Sequence, residues 1–316
     1  MKTILFKRLS KLSSVVVGFA AVSSAKTEHS NPDHPISRFG GDYIPTDKLV
    51  CHRNLQDTLG GEHTQPVVLV ACGSFNPPTC AHMRVLEVVR EEYMKRGIDV
   101  YGAYLSPVHN DYGKPGLVLG DHRLAMVNAA AEGSGMLLVR PCQVAYTSSL
   151  KRCFIDFVMA DQWEFSQETY TRTLYVLDSI EQRLRMALGL SVRQKNLAED
   201  QQYNTAGVRS VLVCGSDLIE SMCDENAWDQ SLLEQLLAHH GVACVVRPGS
   251  DLQQVLDREG TLPSKYKDSI MIVENNLLDD VSSTQVRERV RQGKSIQGLV
   301  PHGVASYIKE HHLYQE

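Results

Sequence analysis

No Cys-x-x-Cys pair occurs in the 316 residues, and the eight cysteines stand at 51, 72, 80, 142, 153, 214, 223 and 244 without regular spacing. This gives neither a zinc site nor a disulfide framework; Cys214 and Cys244, inside apolar runs, read as buried thiols of a reducing compartment. A basic excess is also missing. Lys and Arg number 32 against 37 Asp and Glu, a formal charge of −5, so the chain does not read as one that coats nucleic acid, although a local basic pocket is compatible with it. The apolar stretch SSVVVGFAAV falls short of the ~20 residues that a membrane span needs. Neither GxGxxG nor GxxxxGK[ST] is present, which removes the two standard phosphate-binding fingerprints. No internal repeat is found.

Acids are missing from one region in particular. None precedes Glu28, while Lys2, Lys7, Arg8, Lys11 and Lys26 lie among many serines. The expectation is a mitochondrial presequence, with a secretory signal or a simple tail as other readings and cytoplasm or nucleus as the other destinations. Residues 28 to 64, rich in Pro, Gly, His and Asp, read as an irregular arm. The division expected is therefore a leader and arm over 1–64 and a folded domain over 65–316.

What is present is an alternation of short β-branched runs with helical patterns. VVLVACGSF reads as a strand, MRVLEVVREEYMKRG as a helix, VYGAYLSPV as a strand and HRLAMVNAAAEG as a helix. TRTLYVLDSIEQRLRMAL (helix), VRSVLVCGSD (strand), SLLEQLLAHHG (helix), VACVVRPG and SIMIVEN (strands), and the helical STQVRERVRQGK and VASYIKEHHLY follow. The fold class implied is α/β, with βαβ units around a mostly parallel sheet and ligands beyond the carboxyl ends of the strands. GSFNPPT, SPVHNDYGK and CGSD lie at those ends.

GSFNPPTCAH, residues 73 to 82, follows a strand and opens a helix, whose free N–H groups and dipole favour an anion. By itself it is only a tight turn, and a lone His is more often core or surface. Yet Thr79 and His82, three apart, share the first turn of the helix and are able to face one phosphate. Far along the chain, VSSTQVRERV places Ser282, Ser283 and Thr284 at a helix start with Arg287 a turn on. That is an ordinary cap with a basic face, or a second phosphate cradle. Two cradles on one sheet suit a triphosphate.

The ordered pair GSFNPPTxxH and SSTxxR resembles the nucleotidyltransferases whose signatures are HxGH and [ST]xxR. The resemblance narrows to the eukaryotic nicotinamide mononucleotide adenylyltransferases through SPVHNDYGKPGL, WEFSQETYTRT, LVCGSDLIES, AWDQSLLEQLLAHHGVACVVRPGSD and SIQGLVPHGVASYIKEHHLY, and it covers about residues 66 to 316. It implies a Rossmann-like, doubly wound sheet of the nucleotidyltransferase type. The activity it implies is adenylyl transfer from ATP to nicotinamide mononucleotide, and to its nicotinate counterpart, in NAD biosynthesis. His82, Lys114 and Arg287 then match the catalytic positions. Gly73, Ser74, Phe75, Thr79, His82, Gly215, Asp217, Ser283, Thr284 and Arg287 match the ATP side. Ser74, Lys114, Tyr170, Thr173, Asp217, Trp228, Arg247 and Asp279 match the mononucleotide side. Mg²⁺ is expected on ATP oxygens rather than in a protein cage.

Departures from the family pattern are visible. Tyr170 stands where relatives often have Trp, Asp279 where they have Asn, and Pro115 replaces a second Lys beside Lys114; residues 140–158 read as an insertion. Tyr170 and Thr173 are expected on one helix face. Aromatic faces without a dedicated cation predict use of both acceptors, with Asp279 favouring the nicotinamide form. Two other readings share both signatures: an adenylyltransferase or cytidylyltransferase for another phosphorylated precursor, and a nucleotide-binding chaperone or scaffold without turnover. A homo-oligomer is compatible with the sequence; nucleic acid and a membrane span are not expected.

Overall fold

The computed structural model describes residues 43–49, 65–132, 157–189, 207–246, 251–274 and 281–316. The expected leader, Arg247, Asp279 and most of the 140–158 insertion lie outside them. The described elements run β1 Val67–Gly73, α1 Cys80–Lys95, β2 Val100–Pro107, α2 Gly120–Glu132, β3 Val158–Ala160, α3 Thr173–Ala187, β4 Arg209–Gly215 and α4 Ser216–Met222. They continue with α5 Gln230–His239, β5 Gly241–Val246, α6 Leu252–Leu256, α7 Leu262–Lys265, β6 Ile270–Glu274, α8 Ser283–Arg291 and α9 His302–Glu310.

The strands form one six-stranded sheet in the order β3-β2-β1-β4-β5-β6, and every pairing is parallel. Burial explains why β1 reads as an unbroken apolar run. Successive side chains leave opposite faces: Val67, Leu69 and Ala71 enter one core with α1, α2, α8 and α9, and Val68, Val70 and Cys72 enter the other with α3, α4, α5 and α6. Helices on both faces make the sheet doubly wound. Strand order reverses between β1 and β4, so the crevice opens beyond their carboxyl ends.

The sequence pattern locates the longer elements and misses the short ones. β3 has three residues, too few to show a period. It also corrects the insertion's boundary, because Phe157 and Val158 are core residues and Val158 pairs with Ala103 of β2. The arm is not wholly separate from the domain. Ile44 is buried, the Pro45 carbonyl accepts from the Tyr104 hydroxyl at 2.7 Å, and Lys48 Nζ donates to the Ala131 carbonyl at 2.7 Å.

Candidate active site

The turn after β1 is tight and turned inward. Phe75 adopts φ +41°, a left-handed backbone that costs a bulky residue of order 1–3 kcal/mol and persists only where the surroundings enforce it. Its ring is buried and meets the His82 ring edge-on, with centroids 5.4 Å apart. Thr79 is the N-cap of α1. Its backbone N–H donates to His82 Nδ1 at 2.9 Å, and its Oγ1 lies 2.7 Å from the same nitrogen. A backbone N–H only donates, so Nδ1 is the acceptor and the ring proton sits on Nε2. His82 thus takes the part that Glu plays in a capping box. Burial lowers its pKa to about 4, so at neutral pH it is an uncharged N–H donor. The side chains of Phe75 and Thr79 are spent on this arrangement, and what they leave for a ligand is backbone.

The second signature starts α8. Ser282 caps it, accepting from the Gln285 N–H at 3.1 Å. Hydrogen bonds tie it to the first signature across more than two hundred positions of chain. Arg287 Nη1 donates to the Asn76 carbonyl at 2.8 Å, and Ser283 Oγ donates to the Pro77 carbonyl at 2.8 Å. Ser283 is therefore engaged in joining the segments, whereas Thr284 is exposed and its Oγ1 accepts from Arg287 Nη2 at 3.3 Å. Asn76, itself buried, donates from Nδ2 to the Gly116 carbonyl at 2.8 Å, and its Oδ1 accepts from the Tyr314 hydroxyl at 2.8 Å. One side chain joins the turn, the loop after β2 and the C-terminal segment.

The loop after β2 supplies the cation. Lys114 follows Gly113, whose φ of +69° suits glycine, and its amine pKa is lowered by partial burial and by the nearby Arg287 guanidinium. Two neighbouring cations repel each other, and an anion bound between them would relieve that repulsion. Beneath them the fully buried Arg123 donates to the Ser74 carbonyl at 3.3 Å and to Asn110 Oδ1 at 3.2 Å, fixing turn and loop to α2.

On the other side of β1 the chain from Asp161 to Thr173 builds an aromatic crevice. Arg183 of α3 grips Asp161 through two bonds of 2.7 and 2.8 Å, which anchors the start of this segment. Tyr170, Arg172, Thr173, Trp228 and Asp229 line the crevice. The Trp228 indole N–H donates to Ser221 Oγ at 3.1 Å, and Tyr112 brings its ring centroid 5.8 Å from that of Tyr170. One expectation is corrected here. Tyr170 does not share a helix face with Thr173, because α3 begins only at Thr173, although both line the crevice. Arg172 lines it as well.

Gly215 ends β4, which pairs with β1, and Asp217 is exposed in the first turn of α4 that follows it. Glu164 was not singled out in the sequence. It is buried with Ser106 Oγ donating to it at 3.0 Å, and burial, with Asp161 nearby, pushes its pKa up to about 8, so it holds a proton at neutral pH. Its position inside WEFSQETYTRT was the available signal. Asn76 had a weaker one, as the polar residue before two prolines; Tyr314 had none.

The cytidylyltransferase-like family model matches residues 70–289, a stretch that holds both signatures. Among curated proteins the chain is 33% identical over 273 residues to the nicotinamide/nicotinic acid mononucleotide adenylyltransferase of Arabidopsis thaliana, covering 86% of this chain and 98% of that one. It is 35% identical over 273 residues to the protein of the same name from Oryza sativa subsp. japonica, with 86% and 94% covered. To nicotinamide/nicotinic acid mononucleotide adenylyltransferase 1 of Bos taurus it is 31% identical over 270 residues, with 78% and 88% covered.

Proposed function

The chain belongs to the cytidylyltransferase-like family, as one of its nicotinamide/nicotinic acid mononucleotide adenylyltransferases, and from that premise we infer how its cleft carries out the reaction. An oxygen of the mononucleotide's 5′-phosphate forms a bond to the α-phosphorus of ATP as the bond from that phosphorus to the bridging oxygen breaks. Pyrophosphate leaves with the electron pair, and a dinucleotide remains. The attacking group is already an anion, so neither a strong base nor a covalent nucleophile is needed, and catalysis reduces to positioning and charge stabilisation.

The observation that carries this reading is the joining of the two signature segments through Arg287 to Asn76 and Ser283 to Pro77. It sets a guanidinium and the α1 N-terminus at one cleft, beside Lys114. Under this reading His82 offers its Nε2–H to an oxygen of the α-phosphate, and Lys114 and Arg287 take the charge that develops on pyrophosphate. Asp217 faces a ribose at the switch between β1 and β4, and Tyr170 with Trp228 receives the pyridine ring. Arg247 and Asp279 remain proposed contacts of the same acceptor. Mg²⁺ would be carried on the ATP oxygens, because the groups around the turn are an N–H donor and two cations, which suit phosphate and not the metal. When bound, the ion neutralises phosphate charge.

Supplying the purified protein with Mg²⁺ and ATP, and in turn nicotinamide mononucleotide, nicotinate mononucleotide and phosphopantetheine, tests the reading against another precursor-adenylating enzyme. Dinucleotide formed from the two pyridine mononucleotides alone supports it; turnover with phosphopantetheine alone overturns it. Nucleotide binding with no product would leave the scaffold reading in place. The basic, acid-free residues 1–27 support mitochondrial import. A fluorescent fusion of residues 1–45 that stays diffuse in the cytosol would remove that proposal.

A further inference from the structure

Arg172 is the N-cap of α3, one residue before Thr173. Its guanidinium carbon lies 6.0 Å from the Tyr170 ring centroid, and the side chain lines the crevice together with Tyr170, Thr173, Trp228 and Asp229. It is half-buried. The position is thus a partly desolvated cation at the edge of the surface that receives the pyridine ring in the function proposed above, and the inference rests on that reading.

The other charges around the crevice are accounted for. Asp229 lies near enough to Arg172 to be stabilised as an anion by it, but its Oδ1 is already occupied by the Ser231 N–H and hydroxyl, at 3.0 and 2.7 Å, and by the Leu232 N–H at 3.1 Å. That carboxylate is a helix cap first and a partner of Arg172 second. Glu164, on the far side of Tyr170, is buried and protonated at neutral pH. Among the described residues no hydrogen bond or close ion pair occupies the Arg172 fork. A ring carrying an amide and a ring carrying a carboxylate have the same π-face, so Tyr170 and Trp228 do not tell them apart. A guanidinium at the ring's edge does, because its parallel N–H donors match a carboxylate and a charge-assisted pair is about twice as strong as a neutral one.

The geometry points to Arg172 as the residue that makes nicotinate mononucleotide a good acceptor, by pairing with the ring carboxylate. Removing the cation also leaves Asp229 uncompensated near the incoming carboxylate. The two effects act in the same direction. The nicotinamide form, with a neutral amide, loses much less.

The test compares kcat/KM for the two acceptors at saturating ATP in wild type, Arg172→Gln and Arg172→Lys. Arg172→Gln is expected to lower the nicotinate value ~10-fold or more while changing the nicotinamide value less than about 3-fold, and Arg172→Lys to recover part of the loss. A ratio of the two values that stays within about 2-fold of wild type in Arg172→Gln overturns the assignment. Wild type itself gives a second readout, independent of any variant's folding: raising KCl from 50 to 500 mM should increase KM for nicotinate mononucleotide more than for nicotinamide mononucleotide, and equal increases would contradict the pairing. Wild-type turnover separates the two failures. Active wild type with an unchanged ratio sinks only the role of Arg172, whereas wild type inactive with both acceptors sinks the functional reading and the inference with it.

Discussion

His82 and His240 are both buried histidines with opposite protonation. His82 accepts from the Thr79 N–H and is driven down to about 4 by burial, so the form that donates from Nε2 persists across the physiological range. His82→Ala should lower kcat by ~10² or more, the usual cost of losing a preorganised donor to developing charge. In wild type, no inflection attributable to this residue should appear in kcat near pH 6.5. A folded His82→Ala protein with near-normal kcat would remove its role. His240 lies far from the cleft, with Nδ1 near Ser210 Oγ at 2.8 Å and Glu181 Oε1 at 3.1 Å, and Nε2 at 3.1 Å from Asp178 Oδ1. The constellation looks like a hydrolase triad, but Ser210 is fully buried and no substrate reaches it. Those two carboxylates, against the opposing effect of burial, hold the imidazolium up to about 9. A folded-state pKa above the unfolded ~6.5 gives stability that is fully present below pH 6.5 and is lost as pH rises through 9. The melting temperature of wild type should therefore fall between pH 7 and 9.5, and His240→Gln should be less stable at pH 7 and lose less over that interval. Parallel pH dependence in the two proteins would show that the charge does not matter.

At the scale of elements, α8 and the C-terminal segment converge on Asn76. Arg287→Ala removes both a cation and the bond to the Asn76 carbonyl, and kcat/KM for ATP should fall ~10² or more. Tyr314→Phe deletes only the hydroxyl on Asn76 Oδ1. A single hydrogen bond of about 0.5–1.5 kcal/mol predicts a rise in KM for ATP of roughly 2–10-fold with kcat nearly kept. If KM for ATP is unmoved, Asn76 holds its place without the tyrosine. These couplings show what the sequence makes legible and what it does not. The GSFNPPTxxH turn and the SSTxxR helix start could be read because capping and turn chemistry is local. The bonds from Arg287 and Tyr314 to Asn76 could not, because residues so far apart in the chain meet only after the sheet has formed. The three-residue β3 and the inward-facing Glu164 escaped for the same reason: their roles are set by neighbours and not by their own periodicity. Tyr170 and Thr173 line one crevice, but not through a shared helix face, because the helix starts only at Thr173 and helical spacing does not extend back to Tyr170.

At the scale of the whole molecule, the arm and the metal give separable tests. Deleting residues 1–40 should leave activity and melting temperature unchanged, because the acid-free residues 1–27 read as a leader and, among the described residues, docking is seen from Tyr43, whose carbonyl accepts from Arg183 Nη1 at 3.2 Å. Deleting residues 1–49 removes buried Ile44 and the bonds to Tyr104 and Ala131, and should cost about 2 kcal/mol or more of stability. Equal melting temperatures for the two truncations would show that the segment contributes nothing. Chelating Mg²⁺ with EDTA should abolish turnover and leave the melting curve of the nucleotide-free protein in place; a lowered melting temperature would indicate a metal held by the protein itself.

That the two joined signature segments form one site moving an adenylyl group from ATP to a pyridine mononucleotide is tested by following the phosphorus. With nicotinamide mononucleotide, Mg²⁺ and ATP labelled at either the α or the γ position, the α label should appear in the dinucleotide and the γ label in pyrophosphate. One dinucleotide should form per pyrophosphate in wild type, and both products should fall together by ~10² or more in Arg287→Ala. A γ label found in inorganic phosphate or on the mononucleotide, or an α label that never enters the dinucleotide, would contradict the account.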